Sequence, residues 1–142
     1  KHWKNLEKDG IITNEEFINA TFTQHYRTVE EFIKPFDDPN SEVSKSGLIL
    51  KSCKTMFTDC PFKVYYNKNK SIMTPKDYAE TLIPTMRSWS ETVFKTALEK
   101  RNPDEVNNIV DRFYNSYLEE IANNPEGHAM DYIHVVMDIE KV

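Results

Sequence analysis

Tyr78 to Lys100 is the stretch that most constrains this chain, because apolar residues recur there at helical spacing. Tyr78, Leu82, Met86, Trp89, Val93 and Ala97 advance in steps of three and four and so share one helix face. Such a stripe requires a surface to pack against. Pro84 interrupts the pattern and removes one backbone donor, which predicts a break between Ile83 and Thr85 and two short helices in place of one rod. Met86, Arg87, Trp89, Ser90 and Glu91 surround the break, a mixture of side chains suited to a core or to a ligand pocket. Arg87 and Glu91 stand one turn apart and can pair along the helix for about 0.2–0.5 kcal/mol.

The remaining elements follow from local signals. Thr13 with Glu16, and Thr28 with Glu31, read as capping boxes that open two short helices, the first reaching about Ala20 and the second stopping at Pro35. Residues 37–46, DDPNSEVSKS, read as a polar loop. Leu48 to Met56 reads as a strand whose start is apolar on both faces. Cys60-Pro61-Phe62 begins an irregular aromatic stretch through Tyr65 and Tyr66, and Thr74-Pro75-Lys76-Asp77 caps the central helical region. Asn102-Pro103 starts a second amphipathic helix carrying Val106, Ile109, Val110, Phe113, Tyr117 and Ile121, which Asn123 to Gly127 ends. In Tyr132 to Glu140, Ile133, Val135, Met137 and Ile139 alternate as in a strand with one apolar face.

At 142 residues, 39% hydrophobic and 29% charged, the chain suffices for one ordinary domain. A formal net charge of -5 and the lack of a basic stripe argue against a nucleic-acid surface. The apolar runs are too short to cross a bilayer and no leader pattern opens the chain, so we expect a soluble, cytoplasmic protein without a membrane partner. Cys53 and Cys60 have neither zinc-ribbon nor redox spacing and read as free thiols. None of the three glycines belongs to a phosphate-cradling loop. His25, His128 and His134 are too scattered for a metal-ligand pattern, so no metal is expected. Ser90, His128 and Asp131 lack the strand-turn-helix elbow that a nucleophilic serine needs. Two strands among several helices form only a marginal sheet, which predicts that both complete a larger one. The first residue is Lys1 and the last, Val142, follows a strand-like run, so a segment of a longer protein is expected.

Several segments in order carry a family likeness: Trp3 and Leu6 before the Asp9-Gly10-Ile11-Ile12-Thr13 turn, then Tyr26-Arg27-Thr28-Val29-Glu30-Glu31-Phe32 with Pro35-Phe36, a strand, Arg87-Ser88-Trp89-Ser90-Glu91, a helical segment, and a last strand ending in Glu140-Lys141. This order resembles the C-terminal half of the SABATH family of S-adenosylmethionine-dependent carboxyl methyltransferases, over nearly the whole chain. The resemblance implies an α/β fold: the C-terminal part of a Rossmann-like methyltransferase fold, with two terminal sheet strands and a helical substrate cap. Residues 1–60 would supply helices and the first strand, 61–130 the cap and 131–142 the last strand.

It further implies transfer of a methyl group from S-adenosylmethionine to the carboxylate of a small organic acid. The glycine-rich turn and acidic ribose-binding residue of such enzymes are absent from this sequence, so the cofactor would be held mainly by an N-terminal half of the same enzyme. The chain alone would then be inactive. Trp89, Met86, Tyr26 and Tyr78 are the expected substrate wall, and Arg87 could attract the carboxylate or pair with Glu91. Association of two copies is a further expectation. The alternative is a stand-alone helical interaction module, without catalysis, that binds a protein through the Tyr78 to Ala97 face.

Overall fold

Side-chain caps set most of the helix starts. The computed structural model describes residues 1–22 and 25–142. The described elements run α1 (His2–Lys8), α2 (Asn14–Asn19), α3 (Val29–Asp37), α4 (Glu42–Lys45), β1 (Leu48–Thr58), α5 (Pro61–Lys68), α6 (Pro75–Ala97), α7 (Pro103–Asn123), a single 3-10 turn (Pro125–Gly127) and β2 (Tyr132–Lys141). Thr13 and Thr28 form the reciprocal capping boxes read from the sequence, Thr74 forms a third with Asp77, and Asn102 accepts from the Glu105 amide.

Two compact units result, Lys1–Thr23 with Pro61–Ala129, and Gln24–Cys60 with Met130–Val142. The first is helical. Its center is the packing of α6 on α7, two helices joined by the short connection 98–102, with α1, α2 and α5 added around them. Tyr78, Leu82, Leu98, Val110 and Ile121 are its largest fully buried side chains. Trp3 of α1 packs its ring 4.7 Å from Phe94, and Phe94 lies 4.4 Å from Phe113, so aromatic contacts tie α1 to both long helices. Arg101 fastens α2 with an ion pair of 2.5 Å to Glu16 and a bond of 3.0 Å to the Ile11 carbonyl.

α6 corrects the expected break: it runs unbroken for 23 residues with Pro84 inside. Leu82 and Ile83 before the proline, and Ser90, Phe94 and Ala97 after it, are buried on one side, whereas Pro84 is exposed. Packing on both sides outweighs the backbone bond that Pro84 cannot donate. The irregular stretch expected after Cys60 is likewise a helix, α5, with Pro61 at its first position, where a missing N–H costs nothing. Its Tyr66 is buried and stacks on Tyr78 at 4.8 Å. α1 and the one-turn α4 are also helices that the turn-rich composition around them concealed.

The second unit is the β1–β2 pair with α3 and α4 against β1. The strands are antiparallel, with Leu48 opposite Lys141 and Thr58 opposite Tyr132, and the register shifts between Leu50 and Ser52. That irregularity leaves Lys51 outside the backbone register, its ammonium pairing at 2.5 Å with Glu140 of β2, and brings Leu50 onto the face of Cys53, Thr55 and Phe57, opposite Ile139, Met137, Val135 and Ile133. The apolar start of β1 is split between faces by ordinary strand alternation, Leu48 and Leu50 on one and Ile49 on the other. α3 passes two residues beyond the expected stop at Pro35, and the Pro35 carbonyl accepts from the hydroxyls of Ser41 and Ser44. Ser41 also caps α4 at 3.0 Å, so the polar loop is a folded connection. Gly47 has φ +77, and a Cβ there would come within 2.8 Å of the Val142 carbonyl oxygen, so glycine is required where β1 begins beside the end of β2.

This packing predicts a sharp contrast on α6 and its approach. Leu82→Ala, at a side chain 1% exposed, should lower unfolding free energy by about 2–5 kcal/mol, against less than about 0.5 kcal/mol for Ile72→Ala at 77% exposure. Equal shifts in a urea titration would contradict the α6–α7 core.

Candidate functional site

The helical unit presents one exposed aromatic feature on α6. Trp89 is 50% exposed and meets Phe22 edge-on, 5.9 Å between centroids. Met86, one turn earlier, is half-buried, and Ile18 of α2 is exposed. Helical spacing places Met86 beside Trp89, and Phe22 arrives from the segment after α2, where no periodic pattern advertised it. Trp89 and Phe22, with Met86 one turn away, form a surface of large apolar groups able to cover a flat or aliphatic ligand.

Just behind it the polar groups are fully engaged. The Ser90 hydroxyl donates to the Met86 carbonyl at 2.6 Å, so the Tyr114 hydroxyl, 2.7 Å away, is the donor to Ser90 Oγ. Burial pushes the Tyr114 phenol up. Ser90 is therefore a hydrogen-bonded core residue. Tyr114 is the buried member of α7 that the stripe read from the sequence did not contain.

Arg87 belongs to the same network. Its Nε donates to Glu91 at 2.6 Å, a terminal nitrogen donates to Asp111 at 2.7 Å, and the guanidinium lies 5.1 Å from the center of the Tyr114 ring. Lys95 adds a contact of 2.6 Å to Glu91. Hydrogen bonds from Arg87, then Lys95, bring the Glu91 carboxyl down to about 2, and those from Glu91 and Asp111 raise Arg87 further above its ordinary range. Of the two roles open to Arg87 in the sequence, the structure shows the pair with Glu91, extended to Asp111. The guanidinium is not presented to a ligand.

Tyr78 departs from its expected place in a substrate wall. It is 0% exposed, donates from its hydroxyl to the His128 carbonyl at 2.7 Å and stacks on Tyr66, with the Lys63 ammonium 5.4 Å from its ring center. Lys63 in turn pairs with Glu126 at 3.0 Å and donates to the Pro125 carbonyl. Tyr78 holds the 3-10 turn and α5 to α6 from inside the core. Of the five candidates, Met86 and Trp89 share the exposed face of α6, whereas Arg87 and Tyr78 point into structural networks.

Tyr26 lies in the other unit, 83% exposed. It lines an open groove of about 740 Å³ together with Thr55, Ile133 and Val135 of one sheet face, Val29 and Phe32 of α3, and His25, Arg27 and Thr28. Among the described residues no group of three or more His, Cys, Asp or Glu side chains is placed to hold a metal ion. No described helix is long and apolar enough to cross a membrane.

The residues present do not fit S-adenosylmethionine. Gly10 follows α1, Gly47 precedes β1 and Gly127 ends the 3-10 turn, so none supplies the tight strand-to-helix turn at which a nucleotide group is received. Comparison with protein-family models and with curated proteins finds no match to this chain.

The Arg87–Glu91 network makes a prediction about acid. Because the folded-state pKa of Glu91 lies near 2 and its ordinary value is 4.5, the stabilization is whole above about pH 4.5 and is lost as pH falls through about 2. Glu91→Gln should therefore lower the urea midpoint at pH 7, with the difference from the parent protein shrinking between pH 4.5 and 2. A difference constant over that range would contradict the assigned pairing.

Proposed function

We propose that this chain is the sheet-terminating and cap-forming part of an S-adenosylmethionine-dependent methyltransferase that esterifies the carboxylate of a small organic acid. The observation that carries the proposal is the β1–β2 pair. Its second face holds Met56, Val136 and Tyr132 exposed, and its first face leaves Phe57 and Ile133 exposed at one end. Two strands with apolar groups open on both faces and no third strand among the described residues are suited to finishing a larger sheet. An antiparallel strand at the edge of an otherwise parallel sheet is a common ending for a doubly wound fold. The order of segments that resembles the SABATH family supplies the reaction class.

In this reading the cofactor is bound by another part of the enzyme and brings an electrophilic methyl group on a sulfonium. A carboxylate is already ionized at neutral pH, so the task of the present residues is to orient the acid and exclude water. Met86, Trp89 and Phe22 on the helical unit are groups suited to it. Rigid aromatic walls limit the poses of a small acid at little entropic cost.

The test is methyl transfer by the full natural polypeptide from radiolabeled S-adenosylmethionine to a panel of small carboxylic acids, read as base-labile label. Methyl ester should form with at least one acid, and Trp89→Ala should lower kcat/KM by roughly tenfold or more, the worth of one large apolar contact, with folding intact. Absence of ester with every acid would overturn the function. Transfer undiminished in Trp89→Ala would remove Trp89 from the substrate wall.

A further inference from the structure

One carboxylate on α7 gathers three basic side chains from two other segments of the helical unit. Glu120 pairs with Lys1 Nζ at 2.9 Å and with His2 Nε2 on the same oxygen, and His128 Nε2 lies 3.9 Å from its other oxygen. His2 opens α1, whereas His128 follows the 3-10 turn and accepts at its carbonyl from the Tyr78 hydroxyl of α6. Both imidazoles stand against one ring: Tyr117 of α7 is 5.6 Å from His2 and 5.7 Å from His128. The two histidine side chains are each 15% exposed and that of Glu120 is 26% exposed, so water screens the cluster only in part. Burial pushes the Tyr117 phenol up and keeps it neutral. The hydrogen bond from Lys1, with that from His2, holds the Glu120 carboxyl below its ordinary value of 4.5. Charged groups farther along the same segments pair elsewhere: Asp9 beyond α1 with Arg112, and Glu126 of the turn with Lys63 and Lys70.

We propose that Glu120, His2 and His128 form a pH-sensitive latch that seats α1 and the segment after the 3-10 turn on α7. Imidazole is the side chain whose charge changes between about pH 5 and 8. With protons on both rings the two contacts to Glu120 are charge-assisted and the latch is closed. As pH rises through that range the rings become neutral, and the carboxylate keeps Lys1 as its charged partner in the cluster. The lower limit belongs to the carboxylate: because Glu120 titrates below 4.5, the latch stays closed down to that pH and opens as pH falls further. Trp3 follows His2 and packs on Phe94, Phe94 lies 5.5 Å from Phe22, and Phe22 meets Trp89. Seating α1 therefore supports the exposed aromatic surface of α6. The latch is independent of the reaction assigned to that surface.

Hydrogen exchange of the α1 amides in the full natural polypeptide, expressed as protection factors at about pH 6 and about pH 8, tests the latch. In the parent protein, α1 protection should fall roughly threefold or more from the lower to the higher pH, the worth of one partly screened ion pair. Glu120→Gln should show low α1 protection at both values without that fall. His2→Gln should lose most of the pH dependence, whereas Lys1→Met should lower α1 protection by the same factor at both. The amide of Val110, at a fully buried position of α7, reports opening of the whole unit in the same spectra and shows whether a variant has kept its fold. Equal α1 protection at the two pH values in the parent protein would overturn the proposal. So would a fall of the same size at Val110 as in α1, or a fall that persists undiminished in Glu120→Gln.

Discussion

Two paired strands do not make a stable sheet in water, and the organization of the second unit answers to that constraint. β1 and β2 pair over ten positions, α3 covers part of one face, and Gly47 lets the end of β2 close against the start of β1. Strand alternation divides Leu48 and Leu50 from Ile49, and the irregularity at Lys51 sets Leu50 on the face of Cys53 and Thr55. What the unit leaves open is as informative as what it covers: Tyr132, Val136 and Met56 on one face, Phe57 and Ile133 on the other. Exposed apolar side chains on both faces of a sheet favor further elements around it.

The helical unit solves a different problem. Its long helices bury a continuous stripe, and its ionic groups are paired off in local networks: Arg87 with Glu91 and Asp111, Arg101 with Glu16 and Glu105, Lys63 with Glu126. These networks fix helix positions and leave few charges for a ligand. The chemistry that remains presented is apolar and aromatic at Met86, Trp89 and Phe22. Such a surface can shape and dry a ligand but cannot by itself hold a carboxylate.

Much of the fold was legible because its signals are local. The Thr13, Thr28 and Thr74 caps, Asn102 with Pro103 and the alternation of Ile133 to Ile139 each depend on a few neighboring residues, and each appears where it was read. Three of the misreadings share one cause, the weight given to proline. Pro84 sits inside a helix because tertiary burial outweighs one missing donor, Pro35 sits inside α3, its carbonyl accepting from the Ser41 and Ser44 hydroxyls, and Pro61 starts a helix in place of an irregular stretch. The site was legible in part. Exposure of Trp89 on α6 is compatible with its proposed role, but helical spacing could not show that Tyr78 is enclosed by Tyr66 and His128, or that Arg87 also meets Asp111 twenty-four residues on. Phe22 and Arg27 lie outside any periodic segment, so only folding reveals what surrounds them.

Amide hydrogen exchange along β1 and β2 in the full natural polypeptide tests the central claim most directly. In each strand alternate amides point toward the partner strand and the others point outward. If the pair ends a larger sheet, the outward amides of at least one strand should be protected as strongly as the inward ones, because they too are bonded to a neighbor. Outward amides of both strands exchanging at the rate of open loops would mean that β1 and β2 stand as a pair alone, and would contradict the account.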